Sequence, residues 1–145
     1  MKTKLLHKAD GKRTFAVILQ TDDEAMRCLR EFAEKERIGG AHVTAIGALR
    51  EARLAYFDWD VKAYQPIDVG DQVEVASLVG DIAIGPDGKP SVHAHAVLGR
   101  RDGSAMAGHL DEAYVRPTLE IIVTESPAHL CKATDKESGL ALIKP

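Results

Sequence analysis

Three of the six histidines in this sequence, His93, His95 and His109, lie within one segment that is typical of a β-hairpin. His93 and His95 are separated by a single residue, and on a strand such side chains point to the same face, about 6–7 Å apart. Neutral imidazole is a preferred ligand of zinc and is also used by iron and nickel. The pair therefore indicates a metal site, provided that a third ligand is brought opposite it.

The position of His109 depends on the turn between the two strands. The residues Arg101-Asp102-Gly103 fit a three-residue loop, in which a type I turn is followed by glycine in the left-handed conformation. That loop puts His109 directly opposite His95, so that all three imidazoles share one face. A two-residue loop would pair His109 with Ala96 and turn its side chain away. The turn chemistry favours the first register. The competing interpretation is that the histidines are hydrogen-bonded polar residues near an oligomer seam.

Glu74 and Glu120 are the two carboxylates that we consider as partners of such a site. Each stands alone in an otherwise apolar strand pattern, within Gln72–Leu78 and Thr118–Val123 respectively. One interpretation is that each faces solvent, because a strand with one exposed face alternates in this way. The other is functional, since a carboxylate can orient a histidine ligand or act as a general base beside a metal.

The clearest element of the chain is a helix over about residues 23–37. Apolar residues recur there at spacings of three and four, and acidic residues at its start favour the positive end of the helix dipole. Thr21 or Asp22 is expected to cap the N-terminus. Gly39-Gly40 is expected to end the helix, since glycine adopts a positive φ without a Cβ clash.

Every other candidate element is a strand bounded by turns. The Asp10-Gly11 turn predicts a hairpin that pairs the segment at Leu5 with the apolar run Phe15–Leu19. After Gly40 we expect six further strands: His42–Leu49, Arg53–Trp59, Val73–Ile84, Val92–Leu98, Ser104–Leu110 and Thr118–Thr124. One strong helix followed by short strands predicts an α+β domain with a mainly antiparallel sheet.

The composition fits one globular domain spanning residues 1–145. Apolar residues make up 45% of the chain and charged residues 28%, a balance that excludes a disordered chain. The formal net charge of −3 excludes a molecule that is basic all over, as many nucleic-acid binders are. Two distant cysteines, Cys28 and Cys131, argue against a disulfide framework. No apolar run is long enough to cross a bilayer and no signal peptide is recognisable, so we expect a cytoplasmic location without membrane contact.

Several segments together resemble the plant-and-prokaryote conserved domain, which occurs in bacterial single-domain proteins and in plant AT-hook nuclear proteins. The resemblance covers nearly the whole chain in the expected order, and it is most specific at the histidines. The segments that carry it are Ile46–Leu49, Leu54–Phe57, Glu74–Gly80, Asp87–His95, Gly108–Leu110 and Val115–Glu120. One position departs from the pattern, since Ala107 stands where the family usually has a glycine.

The resemblance implies an antiparallel sheet with a flanking helix, a homotrimer, and a metal site at His93, His95 and His109 close to a subunit boundary. Prokaryotic members are often described as DNA-binding, whereas in plant relatives an AT-hook outside this domain enters the minor groove. This sequence has no such hook, and its only adjacent arginine pair, Arg100-Arg101, lies at a predicted hairpin tip.

These observations support a homotrimeric metal-binding domain that acts as a binding or regulatory module, with zinc or another divalent transition metal as its cofactor. A small-molecule ligand or DNA would be its further partner. The alternative is a zinc-dependent enzyme of the hydrolase or lyase type, in which the metal activates a water and Glu74 or Glu120 serves as the base. The coordination of the metal distinguishes the two hypotheses. A metal whose coordination positions are all filled by protein atoms is structural, whereas an open coordination position permits chemistry.

Overall fold

The computed structural model describes residues 1–126 and 128–144, which form one helix and nine strands. The helix, α1, is Ala25–Glu36. The strands are β1 (Lys2–Ala9), β2 (Lys12–Gln20), β3 (Gly40–Asp58), β4 (Ala63–Val69), β5 (Val73–Ile84), β6 (Pro90–Gly99), β7 (Ala105–Glu125), β8 (Cys131–Thr134) and β9 (Ala141–Lys144). The strand pairs are antiparallel apart from one parallel contact between β5 and β8. The prediction of an α+β fold with a mainly antiparallel sheet and one principal helix is therefore confirmed.

Four strands form a closed ring within the sheet. The strand order is β1-β2-β7-β3-β5-β8-β9, and β6 pairs with both β5 and β7. Since β5 also pairs with β3, and β3 with β7, the path through β3, β5, β6 and β7 returns to its start. The ring holds β6 and β7 from both sides, and these two strands carry His93, His95 and His109.

Two long strands replace four of the short ones that the sequence predicted. β3 joins the predicted strands His42–Leu49 and Arg53–Trp59, and β7 joins Ser104–Leu110 and Thr118–Thr124. The pairing of β3 with β7 contains three register shifts, which let both strands bend without ending. Pro117 lies within one of these shifts and has no ladder partner, so its missing N–H costs no sheet hydrogen bond.

Helix α1 begins two residues later than expected and has a different N-cap. The carboxylate of Glu24 accepts the backbone N–H groups of Met26 at 2.9 Å and Arg27 at 2.7 Å. These bonds satisfy two of the donors that every helix start leaves unpaired. The expected caps, Thr21 and Asp22, are therefore wrong.

The C-terminal end of α1 also differs from the expectation. Arg37 takes the left-handed conformation, with φ of 55°, and its N–H donates to the carbonyl of Glu34. Gly39-Gly40 is therefore not the cap. A Cβ on Gly40 would lie 2.9 Å from the carbonyl oxygen of Ala128, so close chain packing is what requires this glycine. No helix in the described ranges is long and apolar enough to span a lipid bilayer.

The two faces of the sheet differ in burial. Inward-pointing side chains pack against α1, whose Leu29 and Phe32 are almost wholly buried. The outer face instead exposes four large apolar side chains: Ile46 (62% exposed), Val79 (49%), Ile122 (40%) and Val97 (38%). We call these four residues the outer-face patch. Exposed apolar groups of this kind, side by side on a sheet, are typical of an interaction surface.

A C-terminal hairpin, which the sequence did not predict, closes one edge of the sheet. β8 pairs with β9, and the carboxylate of Asp135 accepts the N–H of Ser138 at 2.8 Å in the turn between them. β8 joins β5 through Ile84, whose N–H donates to the carbonyl of Leu130 at 2.7 Å. The hairpin thereby brings the buried side chain of Lys132 against Asp81 on β5, next to the strand that carries His93 and His95.

Candidate metal centre

The turn between β6 and β7 has the three-residue form that the sequence favours. The N–H of Arg100 donates to the carbonyl of Ser104 at 2.8 Å. Gly103 occupies the left-handed position, with φ of 83°, and its N–H donates to the carbonyl of Arg100 at 3.0 Å. This register places His109 directly opposite His95. The predicted pairing is confirmed, and the two-residue alternative is wrong.

The three imidazoles converge on one side of the β6–β7 hairpin. The ring centroids are 5.2 Å apart for His93 and His95, 5.1 Å for His93 and His109, and 5.5 Å for His95 and His109. One ring nitrogen from each histidine lies within 4.8 Å of the other two. Zn–N bonds of about 2.0–2.1 Å place the nitrogens of a tetrahedral site roughly 3.4 Å apart. Small side-chain rotations would therefore bring these three nitrogens around one ion.

His109 combines burial with an unsatisfied nitrogen. Its Nδ1 is buried and has no hydrogen-bond partner among the described residues. Burial, reinforced by the neighbouring His93 and His95, lowers the pKa of His109 to about 4, and burial also lowers the pKa of His95. Both rings are thus neutral at pH 7 and keep a lone pair for a metal. Tyr64 stacks on His109 with ring centroids 4.5 Å apart, which restricts the orientation of that ring.

Two residues that sequence reasoning missed lie behind His93. Asp81 on β5 is the register partner of His93, and its Oδ2 lies 3.4 Å from His93 Nδ1. The Nζ of Lys132 lies 2.9 Å from Oδ1 of the same carboxylate. Burial raises the pKa of Asp81, but the contacts with His93 and Lys132 outweigh it and the net pKa is lowered. The carboxylate is therefore charged where it meets the imidazole.

Glu74 and Glu120 lie apart from the imidazoles. Glu74 pairs with Gly99, four positions beyond His95 on β6, which is roughly 13 Å along the strand. Glu120 is eleven positions from His109 on β7 and is exposed on the outer face. The structure thus brings the three predicted histidines together but neither of the two predicted carboxylates.

A shallow cleft opens beside His109. Its volume is about 380 Å³, and it is lined by Arg53, Ala55, Tyr64, Pro66, Asp68, His109 and Asp111. Within it, the Nε of Arg53 donates to the carboxylate of Asp68 at 2.8 Å, so the charge of this arginine is already compensated. A small molecule in the cleft would meet the rings of Tyr64 and His109 at once.

The basic residues that bear on DNA binding are concentrated on the first hairpin. Lys2, Lys4 and Lys8 are exposed on β1. Arg13 on β2 is instead bound to the carboxylate of Glu125, with Nε and Oε2 2.6 Å apart. The exposed lysines of β1 therefore offer one surface for a phosphate contact, whereas Arg13 is engaged within the protein.

Solved structures of similar proteins share this fold. A plant- and prokaryote-conserved (PPC) protein from Pyrococcus horikoshii is 31% identical, with 92% of each chain covered and a TM-score of 0.85. A metal-containing protein from Archaeoglobus fulgidus is 31% identical, with 99% of this chain and 97% of that chain covered and a TM-score of 0.84. A protein from Ralstonia eutropha, described as a candidate DNA-binding protein, is 30% identical, with 90% of each chain covered and a TM-score of 0.84.

Family membership follows from the sequence match together with these structures. No curated protein matches the chain. The sequence model of the Plants and Prokaryotes Conserved (PCC) domain does match it, over residues 6–127. The resemblance drawn from the sequence is confirmed, and the chain belongs to the Plants and Prokaryotes Conserved domain family.

Proposed function

We propose that this protein is a homotrimeric zinc-binding domain in which His93, His95 and His109 hold the ion. The observation that carries the proposal is the convergence of three imidazoles, one of which has a buried nitrogen without a partner among the described residues. An all-nitrogen ligand set suits zinc, and it would also accept iron or nickel. The similarity to a metal-containing protein from Archaeoglobus fulgidus supports the same assignment.

The role that these features favour is binding or regulation. Three protein ligands leave one position of a zinc ion for water or for a donor atom of a small molecule. The cleft beside His109 gives such a molecule a place, and its lining includes the Tyr64 ring, which stacks on His109. A small polar ligand with one metal-binding atom and a flat ring or chain would match both features.

Self-association as a trimer is the second part of the proposal. The outer-face patch lies next to the metal site, because Val79 is the register partner of His95. A second copy packed on this face would cover exposed apolar surface and the rim of the site together. An assembly of three subunits is what the family resemblance implies. The position of the outer-face patch supports association at this face of the sheet.

Hydrolase or lyase chemistry has weaker support. Bound zinc would supply it by lowering the pKa of a coordinated water to about 7. Glu74 and Glu120 lie away from the imidazoles, however, and Asp81 is engaged by Lys132 and His93. Without a positioned base among these carboxylates, binding is the better-supported role.

DNA association is a secondary hypothesis. It draws on the Ralstonia eutropha protein described as a candidate DNA-binding protein and on the exposed lysines of β1. A net charge of −3 opposes it, because sequence-independent affinity for DNA comes mainly from neutralised phosphates.

Metal content measured without a polyhistidine tag tests the proposal. Wild-type protein loaded with zinc and dialysed should retain about one ion per chain by elemental analysis. His95→Ala should lose it, whereas His7→Ala, a change at an exposed histidine on β1 outside the cluster, should retain it. A wild-type protein that retains no metal, or a His95→Ala variant with full content, would overturn the assignment.

A further inference from the structure

Lys132 is a buried lysine with one charged partner in the described residues. It is only 7% exposed, although it lies on the short strand β8 near the end of the chain. Burying an ammonium group is strongly unfavourable unless an opposite charge compensates it. Asp81 supplies that charge, with Nζ and Oδ1 2.9 Å apart. The contact is an ion pair rather than a well-aligned hydrogen bond, since Oδ1 lacks a partner of hydrogen-bond geometry.

The same carboxylate reaches the candidate metal centre. Asp81 Oδ2 lies 3.4 Å from His93 Nδ1, so the three side chains form a chain from β8 across β5 to β6. Each oxygen of Asp81 thus faces a different cationic or proton-bearing group. A carboxylate that accepts the proton of one imidazole nitrogen fixes the tautomer and the orientation of the ring.

Local structure explains why Lys132 arrives at this point. The N–H of Leu130 donates to the carbonyl of Gly39 at 3.0 Å, and Ile84 donates to Leu130 from the end of β5. These two bonds anchor the chain just before Lys132, while Cys131 points outward and is exposed. Since side chains alternate along a strand, Lys132 then points to the side opposite Cys131, toward Asp81. This hairpin lies beyond residues 6–127, the part that the family model matches.

We propose that Asp81 and Lys132 are positioning residues for the metal centre. Asp81 holds the proton of His93 on Nδ1, which leaves the Nε2 lone pair for the ion, and Lys132 holds Asp81 in the orientation that does so. The inference rests on the proposed metal-binding function. It adds a second layer to the site, with Asp81 supplied by β5 and Lys132 by the C-terminal hairpin.

Zinc affinity in a double-mutant cycle tests this arrangement. Asp81→Ala should weaken zinc binding by about 10- to 100-fold, and Lys132→Met should weaken it by a smaller factor. Because Lys132 acts through Asp81, the double variant should bind zinc no more weakly than Asp81→Ala alone. Lys132→Arg should restore the wild-type affinity. Lys136→Met, on the exposed turn of the same hairpin, is the matched control and should bind zinc normally.

The tautomer of His93 gives a readout that a merely structural role would not move. Long-range proton–nitrogen NMR spectra of the metal-free wild type should place the His93 proton on Nδ1, and Asp81→Ala should shift it toward Nε2. This measurement tests the role of Asp81 even if Lys132→Met does not fold. A wild-type His93 proton on Nε2, or strictly additive losses in the cycle, would overturn the inference. A wild type that binds no zinc would instead overturn the proposed function and leave the tautomer result to judge the Asp81 contact.

Discussion

At the scale of single residues, the spacing between β5 and β6 at the candidate metal centre depends on Gly80. A Cβ built on this glycine would lie 2.3 Å from the carbonyl oxygen of His93, closer than real side chains approach a backbone. His93 is itself one of the three histidines of the candidate metal centre. Any side chain at position 80 must therefore push β6 away where the ligand is anchored.

Gly80→Ala should accordingly reduce both stability and zinc affinity. We expect a loss of about 1–3 kcal/mol in the free energy of unfolding of the metal-free protein, the usual cost of overpacking, together with weaker zinc binding. Urea unfolding and competition with a zinc-binding dye measure the two effects. Gly70→Ala is the control, because nothing lies within 4 Å of a Cβ there. If Gly80→Ala matched this control in both measurements, the close approach would have no role in the site.

The sequence predicted the three clustered histidines of the candidate site but not the residues behind them. His93 and His95 follow from strand alternation, and His109 follows from a turn type that three residues specify. Asp81 could not be predicted, because its partnership with His93 depends on the β5–β6 register, which a longer connection leaves open. Lys132 lies on a four-residue strand without a distinctive pattern. Local sequence patterns thus predict contacts within one hairpin. Contacts between strands distant in sequence, such as those of Asp81 and Lys132, depend on long-range pairing.

At the scale of elements, the helix and the sheet are joined by one buried carboxylate. Glu24 caps α1, and its Oε1 also accepts the backbone N–H of Ala113 on β7 at 3.2 Å. The side chain is 9% exposed, so water cannot readily replace it. Its position explains why sequence signals favoured the wrong cap: Thr21 and Asp22 have suitable chemistry, but only a longer side chain reaches both the helix start and the neighbouring strand.

Glu24→Ala should therefore cost more than the loss of an ordinary cap. A missing cap costs about 1 kcal/mol, and an unpaired buried N–H at Ala113 adds about 1–3 kcal/mol. We expect a total loss of about 2–4 kcal/mol in the free energy of unfolding, measured by urea denaturation. Glu34→Ala, at an exposed position of the same helix, should change it by less than about 0.5 kcal/mol. A loss of 1 kcal/mol or less for Glu24→Ala would show that the bond to Ala113 contributes nothing.

Strand continuity was the other element-scale feature that the sequence did not specify. The sequence pattern predicts a break between Leu49 and Arg53 and a new strand at Thr118, directly after Pro117. In the structure, register shifts between β3 and β7 absorb both features, so each long strand continues through them. A bulge carries no clear local signature, because the partner strand determines whether an extra residue is accommodated or ends the element.

At the scale of the whole molecule, the outer face of the sheet joins the candidate metal centre to the outer-face patch, the surface proposed for subunit contact. A row of register partners crosses the face from Ala16 through Ile122, Thr44 and Val79 to His95. His95 is both a candidate ligand and an exposed member of this row. Assembly on the outer-face patch would therefore also shield one side of the candidate metal centre from solvent.

Ile46→Glu should prevent this assembly. Ile46 is the most exposed member of the outer-face patch at 62%, and a carboxylate there would have to be buried without a partner in any subunit contact. We expect sedimentation velocity at micromolar concentration to give three times the 15.7 kDa chain mass for the wild type and the mass of one chain for Ile46→Glu. Leu142→Glu makes the same type of change on β9, where the side chain is 45% exposed, and should leave the trimer intact. A wild type that sediments as a single chain would refute the trimer, whereas a trimeric Ile46→Glu variant would place the subunit contact on another surface.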